Sequence, residues 1–314
     1  MRVALMIPPD YPLAGVPALA AGAEDAGFDL IACGEHLFFH GPVPNAFVAL
    51  AAAAGATTRI RLLSALTILP LYPAAVAAKL VATLDGVSGG RFELGVGVGG
   101  EYPAEFAAAG VPVAERGRRT DEALEVLARL LPGQPASFGG AYTTLGGQRL
   151  QPPAVQQPRP PVWVGGRREA SMRRAARYAD GWLPYLITPE RLASGMDTVR
   201  AEAALSGRAP GAVRAGVYCW AATDADGHWA RRTAAATVSA IYQQDLRPQA
   251  GQYLLAGTPA EVSARIAEYA AAGAQTLVYA PACERDDLAR VVRTFAEDVL
   301  PGLRERTDGG NTGG

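Results

Sequence analysis

Two adjacent residues with acid–base character, Glu35 and His36, follow directly on the short apolar run Asp29–Cys33 and Gly34. An imidazole whose unperturbed pKa is ~6.5 can give or take a proton at neutral pH. The carboxyl end of a strand is where α/β proteins collect ligands. His36 is therefore expected to carry proton transfer rather than to be a histidine hydrogen-bonded in a loop. Glu35 can bond to a ligand or to His36, or pair with an arginine, and the residue types do not decide among these. A second constellation is Gly95-Val96-Gly97-Val98-Gly99-Gly100-Glu101. Glycines let a ligand approach the backbone, and Glu101 beside them is a candidate acid–base group. The plainer alternative is an exposed glutamate at a helix start, favoured by the macrodipole. Glu105 is the nearby second choice. Gly165-Gly166-Arg167 lies between an apolar run and a helical pattern, so its N–H groups and guanidinium could hold a phosphate. A strand–turn–helix needs glycine for its geometry in any case. Phe38, Phe39 and His40 read as pocket-shaping residues, and His228 as solvent-facing.

The elements that must position these groups alternate in type. Ile60–Leu69 is apolar at most positions, as a strand buried on both faces requires. Val76, Leu80, Val81 and Leu84 then fall at helical spacing, and Arg91–Val98 is a further buried strand. That order makes a βαβ unit with parallel strands and a right-handed crossover. Strands are likewise read at Arg2–Ile7, Asp29–Cys33, Pro161–Gly166, Trp182–Ile187, Arg214–Ala222 and Thr276–Ala280, with helical patterns between them. Asn45, Thr188 before Pro189, and Thr258 with Glu261 are the helix-start signals. Pro132–Pro161, with one strand candidate at Ser137–Thr143, is read as an insertion on the barrel rim. Asp224–Leu255 is mostly helical. Residues 1–303 are expected to form one (β/α)₈ TIM barrel with rim insertions, and 304–314 a disordered tail. A doubly wound open sheet is the alternative, weakened by the lack of a G-x-G-x-x-G after the first strand.

Composition excludes several classes. With 49% hydrophobic and 19% charged residues the chain can bury a large core. A net charge of −1 without a dense basic cluster speaks against nucleic acid or an anionic membrane as partner. Cys33, Cys219 and Cys283 are too scattered for a metal site, and no metal is expected. A reduced cytoplasmic protein is the simple reading. Neither the short Met1–Pro8 stretch nor any later run is long enough for a signal core or a membrane span.

Several stretches together resemble the bacterial luciferase-like superfamily of flavin and deazaflavin oxidoreductases. They are Ala23–His36, Thr83–Phe106, Glu115–Leu127, Pro160–Gly166 with Ala179–Trp182, and Gly257–Val262. The similarity runs from Val3 to about Leu303. It implies a cofactor, either the deazaflavin F420 or FMN, with Glu35-His36 at the ring and the histidine moving a proton. Luciferase grips the FMN phosphate with an arginine whose counterpart here is Val98, so F420 is the expected cofactor. The resemblance also implies a non-prolyl cis peptide at Ser64–Ala65 behind the ring, and cofactor contacts from Thr67, Gly99, Gly100, Gly165, Gly166 and Arg167. It puts Glu101 about where an F420-dependent sugar-phosphate dehydrogenase keeps a catalytic glutamate. The Arg116–Arg119 cluster reads as an exposed helix start.

The expected activity is hydride transfer between F420 and a small-molecule organic substrate. His36 would handle the proton and Glu101 assist. The alternatives are a two-component FMN monooxygenase fed by a flavin reductase, and a non-catalytic flavin-binding barrel. The substrate would be chosen by Leu37–Pro44, Pro132–Pro161 and Asp224–Gly257. A homodimer is compatible with the sequence.

Overall fold

Along β1 (Arg2–Met6) the side chains of Val3 and Leu5 fall in one buried cluster, and those of Ala4 and Met6 in another. A strand turns successive side chains to opposite faces, so such a pattern lines both sides of a closed wall. The computed structural model describes residues 1–308. After β1 come β2 (Leu30–Cys33), β3 (Arg61–Ser64), its continuation β4 (Thr67–Ile68), β5 (Phe92–Gly97), and an antiparallel hairpin, β6 (Ala136–Gly139) and β7 (Thr144–Gln148). Then follow β8 (Val162–Gly165), β9 (Gly181–Leu183), β10 (Arg214–Thr223), β11 (Leu255–Gly257) and β12 (Ala274–Pro281). The wall runs β1–β2–β3–β5–β8–β9–β10–β12, and β12 pairs with β1, every pairing being parallel. This is a (β/α)₈ barrel. The pairings β9–β10 and β12–β1 close it and exclude the open sheet.

The helices are α1 (Val16–Asp25), α2 (Ala46–Gly55), α3 (Ala74–Val87), α4 (Pro103–Ala108), α5 (Arg116–Leu130) and α6 (Glu169–Tyr178). They continue with α7 (Pro189–Leu205), α8 (Gly227–Tyr242), α9 (Ala250–Tyr253), α10 (Pro259–Ala271), α11 (Leu288–Asp298) and α12 (Leu300–Asp308). The start signals hold. Asn45 accepts from the Val48 N–H, Thr188 from that of Arg191, and Thr258 forms a capping box with Glu261. No helix among the described residues is long and apolar enough to cross a membrane.

At the amino-terminal end the barrel is plugged by charge. Glu93 on β5, almost wholly buried, accepts from Arg2 Nη1 and Arg61 Nε at 2.7 Å each, and from Trp163 Nε1 at 2.7 Å. Burial alone would raise its pKa, but hydrogen bonds from Arg2 and Trp163 and the two guanidinium charges hold it at about 2.

Three expectations need correction. The third strand is not continuous: it breaks after Ser64, and the non-prolyl cis peptide is Ala65–Leu66, one bond later than expected. Ser64 pairs with Cys33 and the Ala65 N–H donates to Cys33 O at 2.7 Å, so the ladder keeps the chain extended through Ser64–Ala65. Pro132–Pro161 leaves and returns at the amino-terminal end, not at the mouth. Gln156 there bonds to Asp85 near the end of α3 and to the Phe92 carbonyl at the start of β5. A segment that follows a helix and precedes a strand must lie at that end, and its hairpin packs outward on α5, where Glu122 accepts from the Ala141 and Tyr142 N–H groups. Finally, α12 runs to Asp308, into the stretch assigned to the tail, of which 309–314 lie outside the described residues.

Candidate active site

The chain leaves β2 at Cys33 and turns through Gly34, where a Cβ would come within 3.1 Å of the Ala65 carbonyl oxygen and of Met6 Cε. That close approach brings Glu35 and His36 to the carboxyl end of the barrel. The two side chains then part company.

Glu35 turns into the protein. Its Oε1 accepts from the Ile68 N–H at 3.0 Å, and its Oε2 from Tyr72 Oη at 3.1 Å, Asn45 Nδ2 at 3.2 Å and the Ala46 N–H at 3.3 Å. One carboxylate thus ties β4 to the start of α2. Burial raises its pKa; the hydrogen bonds from Ile68, Ala46 and Tyr72 oppose the rise, and the neighbouring charge of Glu105 adds to it. With these acceptor positions filled, Glu35 has a structural task and no arginine partner among the described residues.

His36 turns outward. Its Nδ1 lies 3.1 Å from Glu105 Oε2 and 3.3 Å from Oε1, and the fully buried Glu105 carboxylate also accepts from the Leu37 N–H at 3.2 Å. Pro103 opens α4, which puts Glu105 in its first turn, where the helix dipole favours a carboxylate. Phe39 stacks on the imidazole with ring centroids 4.3 Å apart. An Nδ1–H held by a carboxylate fixes the tautomer and leaves Nε2 for exchange with a ligand. The pair His36–Glu105 is therefore the candidate acid–base centre at this end of the barrel.

Glu101 does not join it. Its Oε1 accepts a hydrogen bond from Tyr185 Oη, just beyond β9. Burial and the Glu101 charge push the Tyr185 phenol far up, so it remains the donor. Arg167 lies over the Tyr185 ring, 5.4 Å from its centroid, and donates to the Leu186 carbonyl at 3.0 Å. Tyr102, Tyr185 and Tyr242 at this end were not singled out in the sequence. Only the placement of Tyr242 in the segment after β10 hinted at a mouth position.

The glycines and the interrupted strand explain one another. A Cβ on Gly95 would sit 1.9 Å from the Ser64 carbonyl oxygen, and one on Gly165 would sit 2.0 Å from Leu66 Cδ1. Gly99, at φ +59°, leaves room for Ile68 and Phe106, and Gly100, at φ +103°, for Arg116. These glycines thus admit the protein's own side chains and the bulge at Ala65–Leu66. Ser64 is engaged as well: its hydroxyl donates to Gly95 O at 3.0 Å and accepts from Gly95 N at 2.9 Å. Thr67 is the exception. Its Oγ1 is buried and is the one such side-chain polar atom without a partner among the described residues. A buried unsatisfied hydroxyl costs about 1–3 kcal/mol unless something else satisfies it. Gly166, at φ +97°, precedes Arg167 and Arg168, neither of which pairs with a carboxylate among the described residues, at the start of α6.

The mouth encloses a cleft of about 440 Å³. His36, Leu37, Phe38, Phe39, Tyr102 and Ala104 are among the residues that line it. Phe39 also meets Tyr242 edge-on, and Tyr242 Oη accepts from Trp220 Nε1 at 3.3 Å, so α8 borders the cleft.

This arrangement, acid–base groups at the carboxyl ends of barrel strands, can be set against known proteins. A model of the luciferase-like monooxygenase family matches residues 1–276. The chain belongs to that family. Within it, the uncharacterized protein Mb0965c of Mycobacterium bovis is 37% identical over 161 residues, 51% of this chain and 54% of that protein. The match thus spans about half the length of this curated relative. The monooxygenase RslO1 from Streptomyces bottropensis superposes with a TM-score of 0.85 at 26% identity, covering 96% of this chain and 100% of RslO1. The coenzyme F420-dependent tetrahydromethanopterin reductase from Methanopyrus kandleri has a TM-score of 0.78 at 21% identity, covering 96% and 99%. At that identity the likeness is one of fold. The luciferase-like barrel read from the sequence is therefore correct.

Proposed function

We propose that this luciferase-like barrel is an F420-dependent oxidoreductase that moves a hydride between the deazaflavin and a small organic substrate. The observation that carries the reading is the His36–Glu105 pair, a carboxylate-held imidazole that lines the cleft at the barrel mouth. Two further features fit a bound cofactor: the orphaned Thr67 hydroxyl at the start of β4, and Arg167 and Arg168 beside the α6 N-terminus, which have no carboxylate partner among the described residues and suit a phosphate. When bound, the deazaflavin supplies a ring carbon that accepts or gives a hydride. His36 Nε2 would take or return the proton that accompanies the hydride. Glu105 holds Nδ1–H throughout, so the imidazole keeps its partner as it gains that charge. Phe38, Phe39 and Tyr102 line the cleft beside the imidazole.

The second reading, an FMN-dependent monooxygenase served by a reductase, is favoured by the higher similarity to RslO1, itself named a monooxygenase. Against it stands Val98, where the luciferase pattern has its phosphate-binding arginine. A fluorescence titration of the purified protein with F420 and with FMN separates the two. Tight F420 binding with negligible FMN binding is expected, and the reverse would establish the second reading.

A further inference from the structure

Glu101 and Tyr185 stand on loops that are not neighbours in the barrel wall. The wall runs β5–β8–β9, so the whole of β8 lies between them. Glu101 follows β5 and Tyr185 follows β9, across two strand spacings of roughly 5 Å each. Their hydrogen bond therefore bridges the carboxyl end of β8, where Gly165, Gly166 and Arg167 lead into α6. Arg167 packs against this strap. Its guanidinium faces the Tyr185 ring, 5.4 Å from the centroid, and one N–H goes to the Leu186 carbonyl at 3.0 Å. Buried aromatic residues fix both sides of the platform: Trp182 Nε1 donates to Gly166 O at 2.8 Å, and Tyr269 Oη to Ile187 O at 2.6 Å. Leu186 itself holds φ +46°, a left-handed conformation that a branched residue keeps only where its surroundings enforce it.

We infer that Tyr185 is a positioning residue for Arg167, that Glu101 holds Tyr185, and that the three together present a guanidinium to the phosphate of the cofactor. The inference rests on the proposed cofactor chemistry and names what orders its phosphate contact. A free arginine side chain loses rotamer freedom when it binds an anion. Stacking on a fixed ring and a bond to a fixed carbonyl remove that loss beforehand. One N–H is spent on Leu186, and the rest of the planar fork remains for phosphate oxygens. A carboxylate released beside the same ring would neutralise Arg167 and compete with the phosphate. Burial and the Glu101 charge push the Tyr185 phenol far up, so it keeps its proton and donates it to Glu101. The carboxylate is thus spent on the hydroxyl, and Arg167 has no carboxylate partner among the described residues. Glu101 gains a task other than proton transfer.

Two matched pairs of ligands test this: FMN against riboflavin, and F420 against its phosphate-free deazaflavin chromophore. Dissociation constants are read by fluorescence for the wild type, Tyr185→Leu and Tyr185→Phe, each with and without Arg167→Ala. Tyr185→Leu is expected to weaken the phosphate-bearing ligand about fivefold and the phosphate-free one by less than about twofold. That selective loss should vanish in the Arg167→Ala background. Adding Glu101→Gln to Tyr185→Leu should restore part of it, because the released carboxylate is gone. Tyr185→Phe keeps the ring and loses the hydroxyl, so a smaller loss of the same selectivity is expected, and it decides the matter if Tyr185→Leu does not fold. Equal losses for both members of a pair, or no loss, would overturn the inference, since a merely structural tyrosine does not sense the phosphate. A phosphate-selective loss seen with FMN instead of F420 would support the inference and overturn the deazaflavin reading. Tight F420 binding indifferent to Tyr185 would do the reverse. Binding of none of these ligands would overturn both.

Discussion

Glu93 and Glu35 are both buried carboxylates of one barrel, at opposite ends and in opposite electrostatic settings. Glu93, at the amino-terminal end, has two guanidinium groups and an indole N–H around it, and its pKa is held at about 2. Glu35, at the mouth, has only uncharged donors, so burial prevails and its pKa rises. The difference extends to their surroundings. The closed end satisfies its polar groups with protein, whereas the mouth keeps an unpartnered Thr67 hydroxyl, an imidazole with one nitrogen to spare and a half-exposed Phe38. A fold tolerates local cost where a ligand will meet it. The closed end serves stability, and the mouth keeps groups that a ligand can meet.

Substitutions at the two ends should therefore fail in different assays. His36→Asn should lower turnover about 10²- to 10⁴-fold, the usual worth of a positioned acid–base group, with little change in the unfolding midpoint. Glu93→Gln should do the opposite. It should lose about 3 kcal/mol in denaturant unfolding, the low end for a broken buried pair because Arg2 and Arg61 keep partial contact with water, while turnover per folded molecule stays near that of the wild type. A Glu93 variant that unfolds like the wild type would erase the distinction.

Acid sharpens the comparison. The folded pKa of Glu93 lies below an unfolded value of ~4.3, so its contribution is complete above that pH and is lost as pH falls towards about 2. Glu35 has the reverse sign, since its raised folded pKa makes protonation favour the fold and its ionisation weakens stability as pH rises. Unfolding measured from pH 5 to pH 2 should show a steep wild-type loss that flattens in Glu93→Gln.

Within the mouth, the two candidate glutamates should separate. Glu105→Gln is expected to cost about tenfold in turnover and to alter the pH–rate profile, because His36 loses its carboxylate. Glu101→Gln should change turnover by less than about threefold, since Glu101 bonds to Tyr185 instead. Equal losses in both would return Glu101 to the centre. The smallest effect belongs to Thr67→Val, which removes the orphaned hydroxyl at nearly constant shape. Stability should be unchanged or higher by about 1 kcal/mol, with weaker cofactor binding.

Much of this was legible in the sequence, and the failures have physical causes. The strands were readable because both faces of a barrel wall are apolar, and the caps because their side-chain chemistry is local. Glu101 was preferred to Glu105 because a run of glycines carries no register. The better signal was Pro103, which starts α4 and places Glu105 beside the buried Phe106. Pro132–Pro161 was put at the wrong end because its composition was weighed ahead of its place between a helix and a strand. The partners of Glu35 come from β4, α2 and the turn before α3, and no local pattern announces contacts so distant in the chain.

The central claim, that the mouth performs deazaflavin hydride transfer, is tested most directly by an anaerobic single turnover. The protein would be mixed with reduced F420 and a small reducible organic substrate, and the return of the oxidised deazaflavin absorbance followed. The account predicts stoichiometric reoxidation without oxygen, abolished in His36→Asn. Product formed only with reduced FMN and oxygen would contradict it.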